Sequence, residues 1–153
     1  MKKLCLYSVV LGLMLSCGPK TTASKTEVVN TTKTYVSEVE SNTKLKAITK
    51  KGALTDLEGL QDIGYFTYTE YVDAETNALL RIKNVETTDK TITENYYFNN
   101  GELVLIKLSP KGQADKYIYT RGQKILSATN VNAVEKELYL NKAKRFKKAF
   151  YKG

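Results

Sequence analysis

The chain has 153 residues, a net charge of +8, 11 Tyr, no Trp and no His. The missing histidine excludes a Ser-His or Cys-His catalytic pair, a histidine-ligated zinc site and an imidazole pH switch. Both cysteines, Cys5 and Cys17, lie in the first 17 residues, so the rest of the chain has no thiol from which to build a disulfide framework.

At the N-terminus Lys2 and Lys3 precede an apolar run of 13 residues, Leu4 to Ser16. That length suits a signal h-region and is short of the ~20 residues that span a bilayer. The run ends in Met14-Leu15-Ser16-Cys17, which resembles the type II signal peptides of bacterial lipoproteins. That family's pattern places Leu three positions and a small residue two positions before the cysteine. This chain has Met14 and Leu15 there, whereas Ser16 and Cys17 fit. The resemblance covers residues 1–18. It implies a diacylglyceryl group on Cys17, cleavage before it, and a membrane attachment completed by further acylation, with palmitate among the expected acyl groups. More than one acyl chain makes such an anchor stable. The first acid after Cys17 is Glu27, so the acidic residues that mark the surface-export signals of some Gram-negative lipoproteins are missing. The expected location is therefore the cell envelope, on the periplasm-facing outer membrane of a Gram-negative bacterium. The resemblance implies no molecular activity.

Residues 17–32, rich in Thr, Ser and Lys, are expected to be a flexible tether behind the lipidated cysteine, and residues 33–153 a single domain. Tyr35, Val36, Val39, Leu45 and Ile48 recur at near-helical spacing, which predicts a helix over Lys33–Lys50 that ends at Lys51-Gly52.

Six strands in sequence-neighbour order are expected between Ile63 and Thr129, as an antiparallel meander. In YYFNNGELVLIKL the Asn100-Gly101 dipeptide suits a two-residue type I′ turn. Uninterrupted pairing from that turn would set Phe98 against Leu103, Tyr97 against Val104, Tyr96 against Leu105 and Glu94 against Lys107. The Tyr96-Tyr97-Phe98-x-x-Gly101 unit recurs 21 residues on as Tyr117-Ile118-Tyr119-x-x-Gly122. This resembles bacterial repeats built on a Tyr-x-x-x-Gly hairpin, although any aromatic hairpin with a turn glycine has the same look. A third hairpin is expected around Asp73–Asn77.

Asn132 and Glu135 form a capping box ahead of a helix predicted over Ala133–Tyr151. Tyr139, Ala143, Phe146 and Phe150 share one stripe of it, which is expected to pack on the sheet. The fold class is thus α+β, an antiparallel meander with a helix before it and a long basic helix packed on the sheet. The alternative use of that stripe is docking on a membrane, with Lys144, Arg145, Lys147 and Lys148 as contacts to an anionic surface.

No phosphate loop or calcium-loop spacing is present, so no cofactor or metal is expected. Basic charge with aromatics could suit nucleic acid, but export removes that partner, so none is expected. Asp56, Glu58, Asp62, Glu70, Asp73, Glu75, Glu86, Asp89, Glu94 and Glu102 could supply an acid/base pair, but their spacing selects no two of them, and they read as solvated charge. Tyr65, Tyr68, Tyr97, Tyr117 and Tyr119 are candidates for an aromatic binding face on the sheet. The expected molecule is a non-catalytic binding module, attached to the membrane through lipid on Cys17, with an envelope protein, glycan or lipid as partner. The alternatives are a carboxylate-dependent hydrolase and a membrane-surface protein acting through the basic helix.

Overall fold

The computed structural model describes residues 23–122 and 124–152, so the signal segment and Cys17 lie outside the described residues. The chain runs α1 (Lys25–Ser41), β1 (Lys46–Thr55), β2 (Asp62–Val72), β3 (Leu79–Thr87), β4 (Thr91–Asn99), β5 (Glu102–Pro110), β6 (Lys116–Arg121), β7 (Lys124–Thr129) and α2 (Ala133–Phe150). The seven strands form one antiparallel sheet in chain order. The α+β class and the meander therefore stand, with one strand more than expected.

The extra strand is β1, which replaces the second half of the expected helix. The first helix instead starts at the Ser24 N-cap, whose side chain accepts from the Glu27 backbone N–H. Lys25–Thr32, read as tether, are thus helical. The helix stops before Asn42, whose side chain accepts from the Lys44 N–H. Tyr35, Val36 and Val39 do face the sheet, but Ile48 belongs to β1. Gly52 is no helix stop. It lies opposite Phe66, and a Cβ there would sit 2.6 Å from the phenyl ring.

The Asn100-Gly101 turn forms as expected, with φ of 49° and 73°. Beyond Phe98–Leu103 the expected register is overturned. Tyr97 pairs with Leu105, Tyr96 with Ile106 and Glu94 with Leu108, because Val104 is the extra residue of a bulge. A one-residue slip exchanges faces along β5, which brings Leu105 to the side of Tyr97 and Ile106 and Leu108 to the side of Tyr96. Similar irregularities occur in the β1–β2, β2–β3 and β6–β7 pairs.

The helices cover opposite faces. Under α2, Tyr139, Ala143, Phe146 and Phe150 pack with Tyr68, Leu79, Ile82, Tyr96, Phe98, Ile106, Leu108 and Ile118. The apolar stripe of α2 is therefore used inside the domain and is not free for a membrane. Asn132 and Glu135 form the complete capping box, and Glu135 also pairs with Lys116 at 2.5 Å, joining the helix start to β6. Under α1, Val29, Tyr35, Val36 and Val39 pack with Tyr97, Leu105, Tyr117 and Tyr119. The Tyr35 hydroxyl donates to the Phe98 carbonyl, and the Tyr97 hydroxyl donates to Glu40 of α1.

Candidate functional site

Three of the ten candidate carboxylates meet on the α2 face. Glu70, Glu86 and Glu94 stand on the adjacent strands β2, β3 and β4. Lys142 of α2 reaches down between two of them, with Nζ 2.6 Å from both Glu86 Oε1 and Glu94 Oε1. Asn84 Nδ2 donates to Glu86 Oε1 at 2.9 Å and to Glu94 Oε2 at 3.0 Å. The Tyr96 hydroxyl donates to Glu94 Oε2 at 2.8 Å, and the Tyr68 hydroxyl to Glu70 Oε1 at 3.0 Å. Burial, and then the Glu94 charge, push the Tyr96 phenol well above its ordinary value. Burial and Glu70 do the same to Tyr68. Beside this cluster a groove of about 450 Å³ is lined by Lys50, Phe66, Glu86, Lys142 and Arg145, among others. Glu94, which the expected register placed towards the wet end of the hairpin against Lys107, is instead buried against Lys142. Lys107 pairs with Asp115 at 3.5 Å. Glu86, in the groove lining, and Glu94, beneath it, are both committed to a cation and an amide, an arrangement that seats the helix on the sheet, and Glu70, also in the lining, accepts from Tyr68. Among the described residues no group of three or more Cys, Asp or Glu side chains is placed to hold a metal ion.

The five candidate tyrosines do not share a face. Tyr68 lies under α2, whereas Tyr97 and Tyr119 are buried under α1. Tyr117 stacks on Tyr119 with ring centroids 6.3 Å apart and donates to Asp115. Tyr65 alone is well exposed, near the β1–β2 turn. The physical reason is the strand period of two, which sends Tyr65 and Tyr68 to opposite faces, and α1 then covers the aromatic half of the other face.

Beyond α1 the side chains of this sheet face are mostly polar, with Thr49 and Lys51 exposed, Lys83 and Lys107 half-buried, and Thr69 and Asn95 buried among the described residues. Register places Thr49, Thr69, Lys83, Asn95 and Lys107 in one row across β1 to β5. A parallel row holds Lys51, Thr67, Val85 and Thr93. Thr49 and Thr69 are hydrogen-bonded at 3.0 Å. Arg81 borders the platform, with its guanidinium carbon 5.0 Å from the Tyr71 ring centroid and 5.6 Å from that of Tyr97. Its Nε and Nη2 donate to Asn95 Oδ1 at 3.0 and 2.6 Å. Aromatic stacking on both sides and a two-point hydrogen bond hold the cation in one orientation. Of the carboxylates on β2 to β4, Glu70, Glu86 and Glu94 lie on the opposite face and Asp62 sits at the start of β2 beyond a register shift, and β1 contains none. The open face is thus cationic and rich in hydroxyl groups. Sequence reading missed Thr69, Arg81, Lys83 and Asn95. The available signal was polar residues at period two along β2, the strand selected for its tyrosines.

On α2, Lys144, Arg145 and Lys148 are exposed and Lys147 is half-buried. No helix among the described residues is long and apolar enough to cross a membrane. Comparison with protein-family models, with curated proteins and with solved structures finds no match to this chain.

Proposed function

We propose that the protein is a lipid-anchored, non-catalytic binding module of the bacterial cell envelope that takes an acidic glycan on the open face of β1–β5. The supporting observation is the Thr49, Lys51, Lys83 and Thr93 side chains beside the clamped Arg81, on the face opposite Glu70, Glu86 and Glu94. Hydroxyl and amide groups match a saccharide's hydroxyl groups, and fixed cations match its carboxylates. The engagement of Glu86 and Glu94 by Lys142 weighs against a hydrolase. The signal-like segment ending at Cys17 supports the anchor, the envelope location and a periplasm-facing outer-membrane site.

The anchor is tested by fatty-acid labelling and membrane fractionation of the wild type and Cys17→Ala. Loss of label and of membrane attachment in the variant supports it, and an unlabelled wild type refutes it. Ligand recognition is tested by titrating the detergent-solubilised full chain with uronic-acid oligosaccharides. Lys83→Glu is expected to weaken binding by about tenfold, the loss of one charge-assisted contact and its replacement by repulsion. Lys148→Glu, which makes the same change of net charge on α2, is expected to leave binding unchanged. Equal weakening by both would mean non-specific attraction and would overturn the glycan site, as would the absence of binding.

A further inference from the structure

The β1–β2 connection is a hydrogen-bonded turn whose two leucines are exposed among the described residues. Asp56 organises it. Its backbone N–H donates to the Gln61 carbonyl at 2.9 Å, its carbonyl accepts from Gly59 N–H at 3.1 Å, and its Oδ1 accepts from Leu60 N–H at 2.9 Å. Gly59 adopts φ of +74°, a left-handed conformation that glycine takes without steric cost. This turn holds Leu57 fully exposed and Leu60 78 % exposed, and adjacent Ile63 and Tyr65 are each more than half exposed. A single exposed leucine is ordinary, but four large apolar side chains exposed between positions 57 and 65 are a concentration of the kind found at interaction sites. Asp56, Glu58 and Asp62 frame it with negative charge. That frame disfavours an anionic bilayer and favours an apolar recess with a cationic rim.

The chain itself carries such a recess. Between α2 and the β4–β5 hairpin lies a cleft of about 300 Å³, with Phe98, Leu103, Leu140 and Ala143 as its apolar lining and Lys144 and Lys147 on its rim. Glu102 is the one carboxylate in that lining. Exposed Arg145 and Lys148 extend the positive field along the helix. The cleft lies beside the Asn100-Gly101 turn, whereas the leucine turn is at the other end of the strands, with the β3–β4 turn. One copy therefore cannot fill its own cleft. We propose that the Leu57–Leu60 tip of one copy seats in the α2 cleft of a second copy, with Asp56, Glu58 and Asp62 facing Lys144 and Lys147.

The chain has no cysteine after position 17, which makes engineered thiols specific reporters. The full chain would be prepared in mild detergent in two tagged forms, one with Leu60→Cys and one with Lys144→Cys, then mixed and oxidised. The expected result is a covalent dimer carrying both tags. It should be lost when Leu57→Asp is added to the first form. It should also weaken with Lys147→Glu in the second form and return when Glu58→Lys is added to the first. Leu57 and Glu58 are both exposed, so an unchanged circular dichroism spectrum separates loss of docking from loss of structure. Absence of the mixed dimer overturns the proposal. So does a Leu60→Cys homodimer that forms as readily as the mixed one, or a mixed dimer that survives Leu57→Asp. Binding of the wild type to anionic vesicles through Leu57 would assign the tip to a membrane and also overturn it.

Discussion

Replacing Lys142 by Met removes the cation between Glu86 and Glu94 while keeping a long flexible side chain in the space. At 2.6 Å and an effective dielectric of ~20, each ion pair carries a Coulomb attraction of about 6 kcal/mol. Much of that attraction offsets the desolvation of the partners, so the intact pair is worth little net, but removing one member exposes the whole penalty on the other. Glu94 is 1 % exposed and keeps only Asn84 and Tyr96 as partners. Glu86 is 26 % exposed and can be rehydrated. The penalty therefore falls mainly on Glu94, and the expected destabilisation of Lys142→Met is ~3–5 kcal/mol. Urea unfolding followed by circular dichroism would read this as a midpoint lowered by about 2 M, for a slope of roughly 2 kcal/mol per molar. Adding Glu94→Gln should recover most of the loss, because the amide can keep a hydrogen bond from Tyr96 without a buried charge. A single-variant loss of only about 1 kcal/mol, the range of an exposed pair, would refute the reasoning. A double variant no better than Lys142→Met would refute it equally.

Two other perturbations test the fold. A Cβ on Gly64 would lie 2.1 Å from the Thr87 carbonyl oxygen, a backbone atom that cannot swing aside, so Gly64→Ala should cost ~1–3 kcal/mol. Hydrogen exchange should show the loss in the β1–β2 and β2–β3 pairs, and full protection there would contradict the close approach. The buried tyrosines predict alkaline instability. Burial pushes Tyr35 and Tyr139 up to about 12, and Tyr68, Tyr96 and Tyr97 are also raised. A raised phenol favours the folded state fully below the unfolded value of about 10, and that contribution is lost as pH climbs from there towards 12. Phenolate absorbance should rise in two stages, the second together with loss of circular dichroism. A single stage near pH 10 with the fold intact would refute it.

Features written in a few consecutive residues were legible from the chain. The Asn132–Glu135 capping box, the inward stripe of α2 and the Asn100-Gly101 turn each depend on local geometry, and each appears where expected. Features that depend on a distant partner were not. Strand β1 is an edge strand with mostly exposed side chains, and only its pairing with β2 distinguishes it from a continuation of the helix. The Ser24–Glu27 cap could have been found from its S-x-x-E spacing, but it lay in a stretch whose composition reads as linker.

Register and cover had the largest consequences for the site. The bulge at Val104 exchanges the faces of the β5 residues beyond it, setting Leu105 with Tyr97 and Ile106 with Tyr96, and no residue near the turn announces it. The partition of the tyrosines and the three-layer arrangement follow from where α1 and α2 come to rest, as does the polar face left open. These are settled by contacts between residues tens of positions apart, such as Tyr35 with Phe98 and Lys142 with Glu94. By itself the sequence determined helix α2, the hairpins of β2 to β7 and the charge balance, because local backbone preference and periodicity act within one or two turns of chain. The tertiary structure alone decided which side chains share a face and which are covered, because burial is a property of the assembled layers.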